Sequence, residues 1–250
     1  MAATTRLVTP PGAGAVSDDA PVARGGREDL EEVVDVIWMR PDHSPVGRPA
    51  RLTRDALTRA AVRVGDARGL PAVTMRTVAA ELGTGGGALY RHLTCRDELL
   101  DLMVDHVAGE YSLPTPSGDW LADLTDLAVQ GLAIHERHRW LCDVVSTPVA
   151  GPHGLAVIEH VLTVLEGKPA PDGQKLVAYA TMTALTTAYA RSRHGEQDPA
   201  RARGQAAYVA GRIAAGHLPH LAALRPEAVV DPDDVFRDMV RRVLSALLMP

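Results

Sequence analysis

Residues 74–93 read TMRTVAAELGTGGGALYRHL, the pattern of two short helices joined by a glycine-rich turn. Thr74 stands where a hydroxyl can cap the first helix, and Gly83 stands where that helix should end. After the turn, Leu89 and Leu93 lie four residues apart and predict the inner face of a second helix. The apolar stripe of the first helix follows the i, i+3, i+4, i+7 spacing at Met75, Val78, Ala79 and Leu82.

This arrangement predicts a helix-turn-helix, although an ordinary helical corner would show the same spacing. A longer string is more specific: G-x-x-x-x-A-L-Y-R-H-L from Gly83 to Leu93 continues as T-C-R-D-E-L-L from Thr94 to Leu100. These residues resemble the N-terminal DNA-binding domain of the TetR family of bacterial repressors. The resemblance extends from about Leu52 to Val107.

The resemblance implies an all-α fold with a three-helix helix-turn-helix domain at 52–110. An all-helical bundle for effector binding and dimerisation follows at 111–250. The implied function is sequence-specific transcriptional regulation by a homodimeric repressor, which a small-molecule effector releases from a two-fold symmetric operator in double-stranded DNA. We expect no enzymatic activity and no cofactor, since the sequence has no motif for a nucleophile, a phosphate loop or paired catalytic carboxylates.

The same resemblance places one set of residues at the DNA. Arg76 and Arg91 carry guanidinium groups that can each bind guanine O6 and N7, and Arg96 matches a phosphate contact. The full predicted set within the domain is Thr74, Arg76, Thr77, Gly86, Gly87, Ala88, Tyr90, Arg91, His92 and Arg96.

The run Gly85-Gly86-Gly87 departs from the family pattern where the recognition helix should begin. Glycine offers no side chain to a base edge, and in a helix it costs about 1 kcal/mol relative to alanine. Backbone N–H groups at a helix start can still hold a phosphate. We therefore expect few direct base contacts and a recognition helix that DNA partly orders.

Charge is distributed unevenly along the chain. The formal net charge is −5, but residues 40–96 contain ten arginines and four acidic residues, a balance of +6. The rest of the chain therefore carries −11. A basic block in an acidic protein indicates phosphate binding.

The sequence upstream of the domain has three parts. Residues 1–27 have no periodicity and predict a disordered tail. Residues 28–39 predict an amphipathic helix that either caps its own domain or docks on a partner, with a stripe of Leu30, Val33, Val34, Ile37 and Trp38. Residues 40–51 contain three prolines and are either a linker or an extended arm, because Gly47-Arg48-Pro49 resembles the core of an AT-hook. As an arm, it would bring Arg48 and Arg51 to the minor groove or the phosphates.

Helix signals continue along the chain. Thr94 is placed to cap a fourth helix with Asp97 at its N3 position, and the helix should end near Gly109. Further helices are expected at about 119–136, 138–146, 152–167, 172–194, 198–216 and 232–248. In the family resembled, the long helices of two subunits form a four-helix dimer interface.

We expect a cytoplasmic protein without membrane contact, because we find no signal peptide and because charged residues or histidine interrupt each apolar stretch. Cys95 and Cys142 form no CxxC motif and predict buried free thiols.

Candidates for effector binding, in which a polar group lies on an apolar stretch, begin at the end of the predicted DNA-binding domain and continue through the C-terminal helices: His106, His135, Trp140, His160, Tyr179, Thr183 and Thr187. A metal sensor is an alternative, since His135-Glu136-x-His138 brings two imidazoles within reach of one ion, with His160 and Cys142 as further donors. A tetrahedral site needs further ligands that no motif supplies, so we assign no metal ligand. A DNA-binding regulator without an effector is the third possibility.

Overall fold

The structure is a computed structural model that describes residues 36–40, 52–144, 150–195, 199–225 and 231–249. Every regular element in these ranges is helical, which confirms the all-α fold. Three short 3-10 turns cover Ile37–Met39, Leu70–Ala72 and Arg139–Asp143. The α-helices are α1 (Arg54–Arg68), α2 (Met75–Glu81), α3 (Gly86–Leu89), α4 (Arg96–Ala108), α5 (Trp120–Arg137), α6 (Pro152–Val164), α7 (Asp172–His194), α8 (Pro199–Ala214), α9 (Pro219–Ala223) and α10 (Pro232–Leu248).

The first core joins α1 to α4. Thr53 caps α1 by accepting a hydrogen bond from Ala56 N at 3.1 Å, and Gly69 ends the helix with φ +77°. One face of α1 is buried against α2 and α4. The residues fully buried in this core include Ile37, Leu57, Ala60, Ala61, Val73, Val78, Leu89, Leu99 and Met103.

The second core is built from α5, α6, α7 and α10. Phe236 of α10 is fully buried, and its ring centroid lies 4.9 Å from that of Tyr189 on α7. Asp231 caps α10 by accepting from Asp233 N at 2.9 Å, so the predicted start of this helix is confirmed. The bounds of α7 and α10 are those that the sequence predicts.

In the part of the chain that the structure describes, α8 and α9 contribute no buried side chain. Tyr208, Leu221 and Leu224 on or beside these helices are largely exposed. The two helices therefore add nothing to either core of their own chain.

Several helix predictions need correction. The helix that begins near residue 95 has Cys95 as its N-cap, so Glu98 and not Asp97 occupies N3. The Glu98 carboxylate accepts from Thr94 N at 2.7 Å and from Thr94 Oγ1 at 2.6 Å. The predicted capping box was therefore wrong by one residue, because Thr94 donates its hydroxyl to Glu98 instead of accepting from the backbone.

The helix expected at 138–146 is instead the 3-10 turn Arg139–Asp143, followed by extended backbone at Val144. The helix expected at 198–216 ends at Ala214, and α9 was not predicted. Pro219 starts α9, which is one turn long and too short for a periodic signal.

The upstream predictions lie largely outside the described residues. These include the tail at 1–27, the first part of the 28–39 helix, and the arm from residue 41 through Arg48 to Arg51. Residues 37–39 form a 3-10 turn and not part of an α-helix, although Ile37 is buried as its stripe predicted.

Cys142 is buried as expected, and burial raises the pKa of its thiol. Cys95 is exposed, so the expectation of burial was wrong there. Its position as the N-cap of α4 places it at the protein surface, outside the apolar stripe.

Candidate nucleic-acid interface and effector site

The start of α2 is fixed by its two threonines. Thr74 Oγ1 accepts from Thr77 N at 3.1 Å and lies 2.8 Å from Thr77 Oγ1. Because Val78 and Ala79 are buried on the opposite side, Arg76 is held on the exposed face. This geometry leaves the Arg76 guanidinium available to a ligand.

The turn after α2 fixes the direction of the next helix. Thr84 N donates to Ala79 O at 2.9 Å and Gly83 N donates to Ala80 O at 3.1 Å. Gly83 has φ +63°, a conformation that L side chains rarely adopt. The turn therefore requires glycine at this position.

The recognition helix α3 is only four residues long. Leu89 and the following Leu93 anchor it in the core with at most 1% of their surface exposed. Tyr90 and Arg91 are exposed beyond its end, and His92 is half-buried. Ala88 is also half-buried.

The three glycines at the start of α3 face open space. A Cβ atom added at Gly85, Gly86 or Gly87 would meet nothing within 4 Å, apart from the immediate chain neighbours and the backbone of its own helix. Protein packing therefore does not require glycine at these positions. An external surface can approach the backbone N–H groups here closely.

Arg96 has a structural role besides the predicted phosphate contact. Its Nε donates to Val73 O at 3.0 Å and its Nη2 donates to Leu70 O at 3.2 Å. These bonds tie the start of α4 to the turn that precedes α2. Sequence reasoning missed this role because the two carbonyls lie 23 and 26 residues away along the chain.

A polar contact, named here the His138 joint, connects α1 and the end of α4 to the C-terminal helices. His138 Nδ1 lies 2.7 Å from Asp66 Oδ1, and its Nε2 lies 2.8 Å from Glu110 Oε1. Trp140 Nε1 donates to Asp66 at 2.8 Å and Arg137 Nε donates to Glu110 at 3.0 Å. Burial raises the pKa of Glu110, but hydrogen bonds from Arg137 and His138 outweigh it, so the pKa is lowered overall.

A second contact, named here the Asp105 joint, connects α4 to the start of α6. The Asp105 carboxylate is 5% exposed, accepts from Gly154 N at 2.8 Å and lies 2.9 Å from His153 Nδ1. It thus satisfies an unpaired N–H in the first turn of α6. When α4 moves, either these bonds break or the start of α6 moves with it.

Four of the predicted effector residues lie on α5 and α7, and one contact between them joins the two helices. His135 Nε2 lies 3.1 Å from Thr187 Oγ1, and Thr187 Oγ1 donates to Thr183 O at 3.0 Å. Thr183 Oγ1 in turn donates to Tyr179 O at 3.1 Å. Burial lowers the pKa of His135, against the opposing effect of its hydrogen bond to Gly131 O. The lowered pKa favours the neutral form of the ring.

Tyr111 belongs to the same region and was not predicted. A Cβ added at Gly131 of α5 would lie 2.5 Å from Tyr111 Oη, so the phenol packs directly on this glycine. Burial raises the pKa of Tyr111 and of Tyr179. We name His135, Thr183, Thr187, Tyr179 and Tyr111 the α5–α7 polar cluster.

The other three candidates lie elsewhere. Trp140 is 1% exposed and belongs to the His138 joint, while His106 is half-buried near the end of α4. His160 lines a small pocket of about 60 Å³ beside Ser112, Pro116 and Gln130. Drug-sized ligands occupy pockets of about 300 Å³ or more, so this pocket takes only a much smaller group.

The two imidazoles of the HExH sequence have different partners. His135 binds Gly131 O and Thr187, whereas His138 binds Asp66 and Glu110. Among the residues that the structure describes, no group of three or more histidine, cysteine or acidic side chains is arranged to hold a metal ion. The described helices also include none that is long and apolar enough to cross a membrane.

Comparisons with known proteins agree with this architecture. Residues 57–103 match the family model described as bacterial regulatory proteins, tetR family, and residues 113–249 match the tetracyclin repressor-like C-terminal domain. The HTH-type transcriptional repressor DrrR1 of Streptomyces coeruleorubidus is 33% identical over 237 residues, which cover 89% of this chain and 87% of DrrR1. An HTH-type transcriptional regulator of Saccharopolyspora erythraea is 35% identical over 131 residues, which cover 52% of this chain and 55% of that protein.

Among solved structures, ActR of Streptomyces coelicolor is similar, with a TM-score of 0.66 and 29% identity over 79% of this chain and 97% of ActR. ActR has been solved alone, with (S)-DNPA and with actinorhodin. The matched models cover both halves of the chain, and the geometry of α2, α3 and α4 fits a DNA-reading domain. The chain therefore belongs to the TetR family and is a DNA-binding transcriptional regulator.

Proposed function

We propose that this protein is a homodimeric repressor that binds a two-fold symmetric operator and is released by a small-molecule effector. The observation that carries this proposal is the pair of polar joints around α4. The His138 joint connects the reader domain, which comprises α1–α4, to the end of α5, the helix that carries His135 of the α5–α7 polar cluster. The Asp105 joint connects α4 to the neighbouring helix α6. A ligand that moves those helices would therefore act on α4 directly.

On the DNA side, we assign base contacts to Arg76 and Arg91. Arg76 is exposed in the first turn of α2, and Arg91 is exposed just after α3. The open backbone at Gly86 and Gly87 would approach a phosphate, whereas Ala88 N already donates to Gly85 O at 2.9 Å. Further contacts with phosphates, or support for the helices, would come from Thr74, Thr77, Tyr90, His92 and Arg96. Arg48 and Arg51 would extend the contact into the minor groove.

A second copy of the chain is the proposed dimer partner. Leu176 and Val177 of α7 are exposed apolar residues on a helix that already packs on α10. The absence of buried side chains in α8 and α9 adds further uncovered surface. Because bacterial DNA lies in the cytoplasm, we place the protein there.

For the effector, we assign the α5–α7 polar cluster as the recognition site. His135 and Thr187 come from different helices and present polar groups in an apolar surrounding, as small-molecule sites do. The ligand-bound structures of ActR support a small molecule as the effector. Actinorhodin and (S)-DNPA are therefore suitable first probes.

The first test is selection of bound sequences from a random DNA pool. The proposal predicts a two-fold symmetric consensus, and a failure to enrich any sequence would contradict sequence-specific reading. Fluorescence anisotropy with the selected operator then shows whether actinorhodin, (S)-DNPA or members of a compound library release the DNA.

The effector site is tested by substitution of Thr187 and His135, with Thr181 on the same helix as Thr187 as the matched control. Thr187→Ala and His135→Ala should each raise the concentration of an active compound that is needed for release about tenfold. This change lies within the usual range of coupling between sites. Thr181→Ala is the control, because Thr181 Oγ1 bonds only within its own helix, to Val177 O. Equal potency on all variants would reject the cluster as the site, and no release by any compound would favour a regulator without an effector.

A further inference from the structure

The half-buried indole of Trp38 lies at the start of α6, beside Asp105 of α4. It packs on Gly151, the N-cap residue of α6, and Asp105 of α4 lies against the same glycine. A Cβ atom added at Gly151 would lie 2.6 Å from both Trp38 Cη2 and Asp105 Cγ. Real Cβ atoms essentially never come so close to another heavy atom, so the ring and the carboxylate both pack against Gly151 and leave no room for a side chain there.

The turn that carries Trp38 is fixed on the reader domain at several points. Ile37 is fully buried in the reader core. Arg54 Nη1 of α1 donates to Ile37 O at 3.2 Å and to Arg40 O at 2.8 Å. Arg40 forms an ion pair with Glu98 in the first turn of α4. Residues 36–40 therefore move with α1 and α4 as one body, whereas Gly151 belongs to α6.

We propose that Trp38 is a positioning residue, a wedge that sets the angle between α4 and α6 and thereby the spacing of the two readers in the dimer. The inference rests on the proposed dimeric function. Close-packed contacts shift between discrete arrangements instead of deforming smoothly. The half-sites of dimeric helix-turn-helix proteins lie about 34–36 Å apart, so a small pivot at α4 takes one reader out of register.

Two glycines three residues apart provide a matched test. Gly151→Ala places a methyl group against Trp38, whereas Gly154→Ala meets nothing closer than Ala150 Cβ and Asp105 Oδ1, both at 3.6 Å. Gly151 has φ −96°, so alanine there is not strained by the backbone. Trp38→Ala removes the ring that packs on Gly151, and Trp38→Phe keeps a smaller ring there.

The measurement is the affinity of the full-length protein for the two-fold operator and for a duplex that contains one half-site. We expect Gly151→Ala and Trp38→Ala to lose about tenfold or more on the full operator, within the usual range of coupling between sites. Their affinity for the half-site should stay within about twofold of the wild type, since the reader itself is intact. Gly154→Ala should match the wild type on both duplexes, and Trp38→Phe should lie between the wild type and Trp38→Ala.

A merely structural role for Trp38 predicts equal losses on both duplexes, and that result would overturn the wedge. Unchanged affinity of Gly151→Ala for the full operator would also overturn it. Operators with one base pair added or removed between the half-sites give a further readout, because a wedge predicts that Gly151→Ala changes the preferred spacing. If the wild type binds one half-site as tightly as the full operator, the dimeric reader itself is contradicted.

Discussion

His138 Nδ1 lies 2.7 Å from Asp66 Oδ1, although the two residues are 72 positions apart in the chain. The same imidazole reaches Glu110 at 2.8 Å through its other nitrogen. One ring that follows α5 thus bonds to α1 and to the end of α4. The C-terminal helices, from α5 onward, are thereby connected to α1–α4 through directional hydrogen bonds as well as through apolar packing.

His138→Ala should destabilise the protein, because it leaves two partly buried carboxylates without their shared partner. Hydrogen bonds to charged groups contribute about 1.5–3 kcal/mol, so we expect a loss of about 2 kcal/mol in the free energy of unfolding by urea. His138→Gln should lose less, since an amide can still donate to one carboxylate. His217→Ala at an exposed position is the control, and an equal effect of the two alanine variants would contradict the joint.

Acid should weaken the His138 joint through Glu110. The pKa of Glu110 is lowered in the folded state from an ordinary value of 4.5, so its contribution to stability is complete above that pH. It is lost as the pH falls through the lowered value. Unfolding followed by circular dichroism as the pH falls below 4.5 should therefore show a shallower loss of stability for Glu110→Gln than for the wild type. Glu159→Gln on exposed α6 surface should keep the wild-type profile.

Arg76→Ala and Arg91→Ala should each remove about 1–3 kcal/mol of discrimination between the operator and unrelated DNA. Each should also lower the salt dependence of binding if the guanidinium neutralises a phosphate. Footprinting and anisotropy at two salt concentrations measure both effects. Arg242→Ala is the control, because Arg242 is exposed on α10 and pairs with Asp238 within the same helix. Wild-type specificity in both reader variants would refute the assigned base contacts.

The double variant Gly86→Ala, Gly87→Ala should separate the stability of α3 from its approach to DNA. The added methyl groups meet nothing within 4 Å beyond their chain neighbours and the backbone of their own helix, and alanine favours a helix over glycine by about 1 kcal/mol per residue. The free protein should therefore become more stable by thermal denaturation. Operator affinity should fall, because the methyl groups occupy the space that a phosphate would approach. Higher affinity would show that helix order, and not close backbone approach, limits binding.

Local patterns in the sequence determined much of this protein. The spacing of Leu89 and Leu93 identified the reader, and Asp231 with Pro232 marked the start of α10, because caps and helical periodicity act over a few residues. The charge block and the string around Tyr90 indicated a DNA-binding regulator, which the family models confirm. Of the seven effector candidates, the fold brings His135 and Thr187 into contact across two helices, and their role is a proposal.

The connections between the two domains were decided by the tertiary structure alone. Trp140 was a candidate for effector binding, but its indole bonds to Asp66, 74 residues away. Tyr111 is the first residue of the predicted C-terminal bundle and carried no site prediction, yet it packs on Gly131. The apolar stripe of α4 does not mark Asp105, because the role of this residue is to accept a hydrogen bond from Gly154 N, 49 residues away. Helices follow from short-range hydrogen bonding and apolar spacing, whereas such pairings depend on how the finished helices cross, which no local pattern encodes.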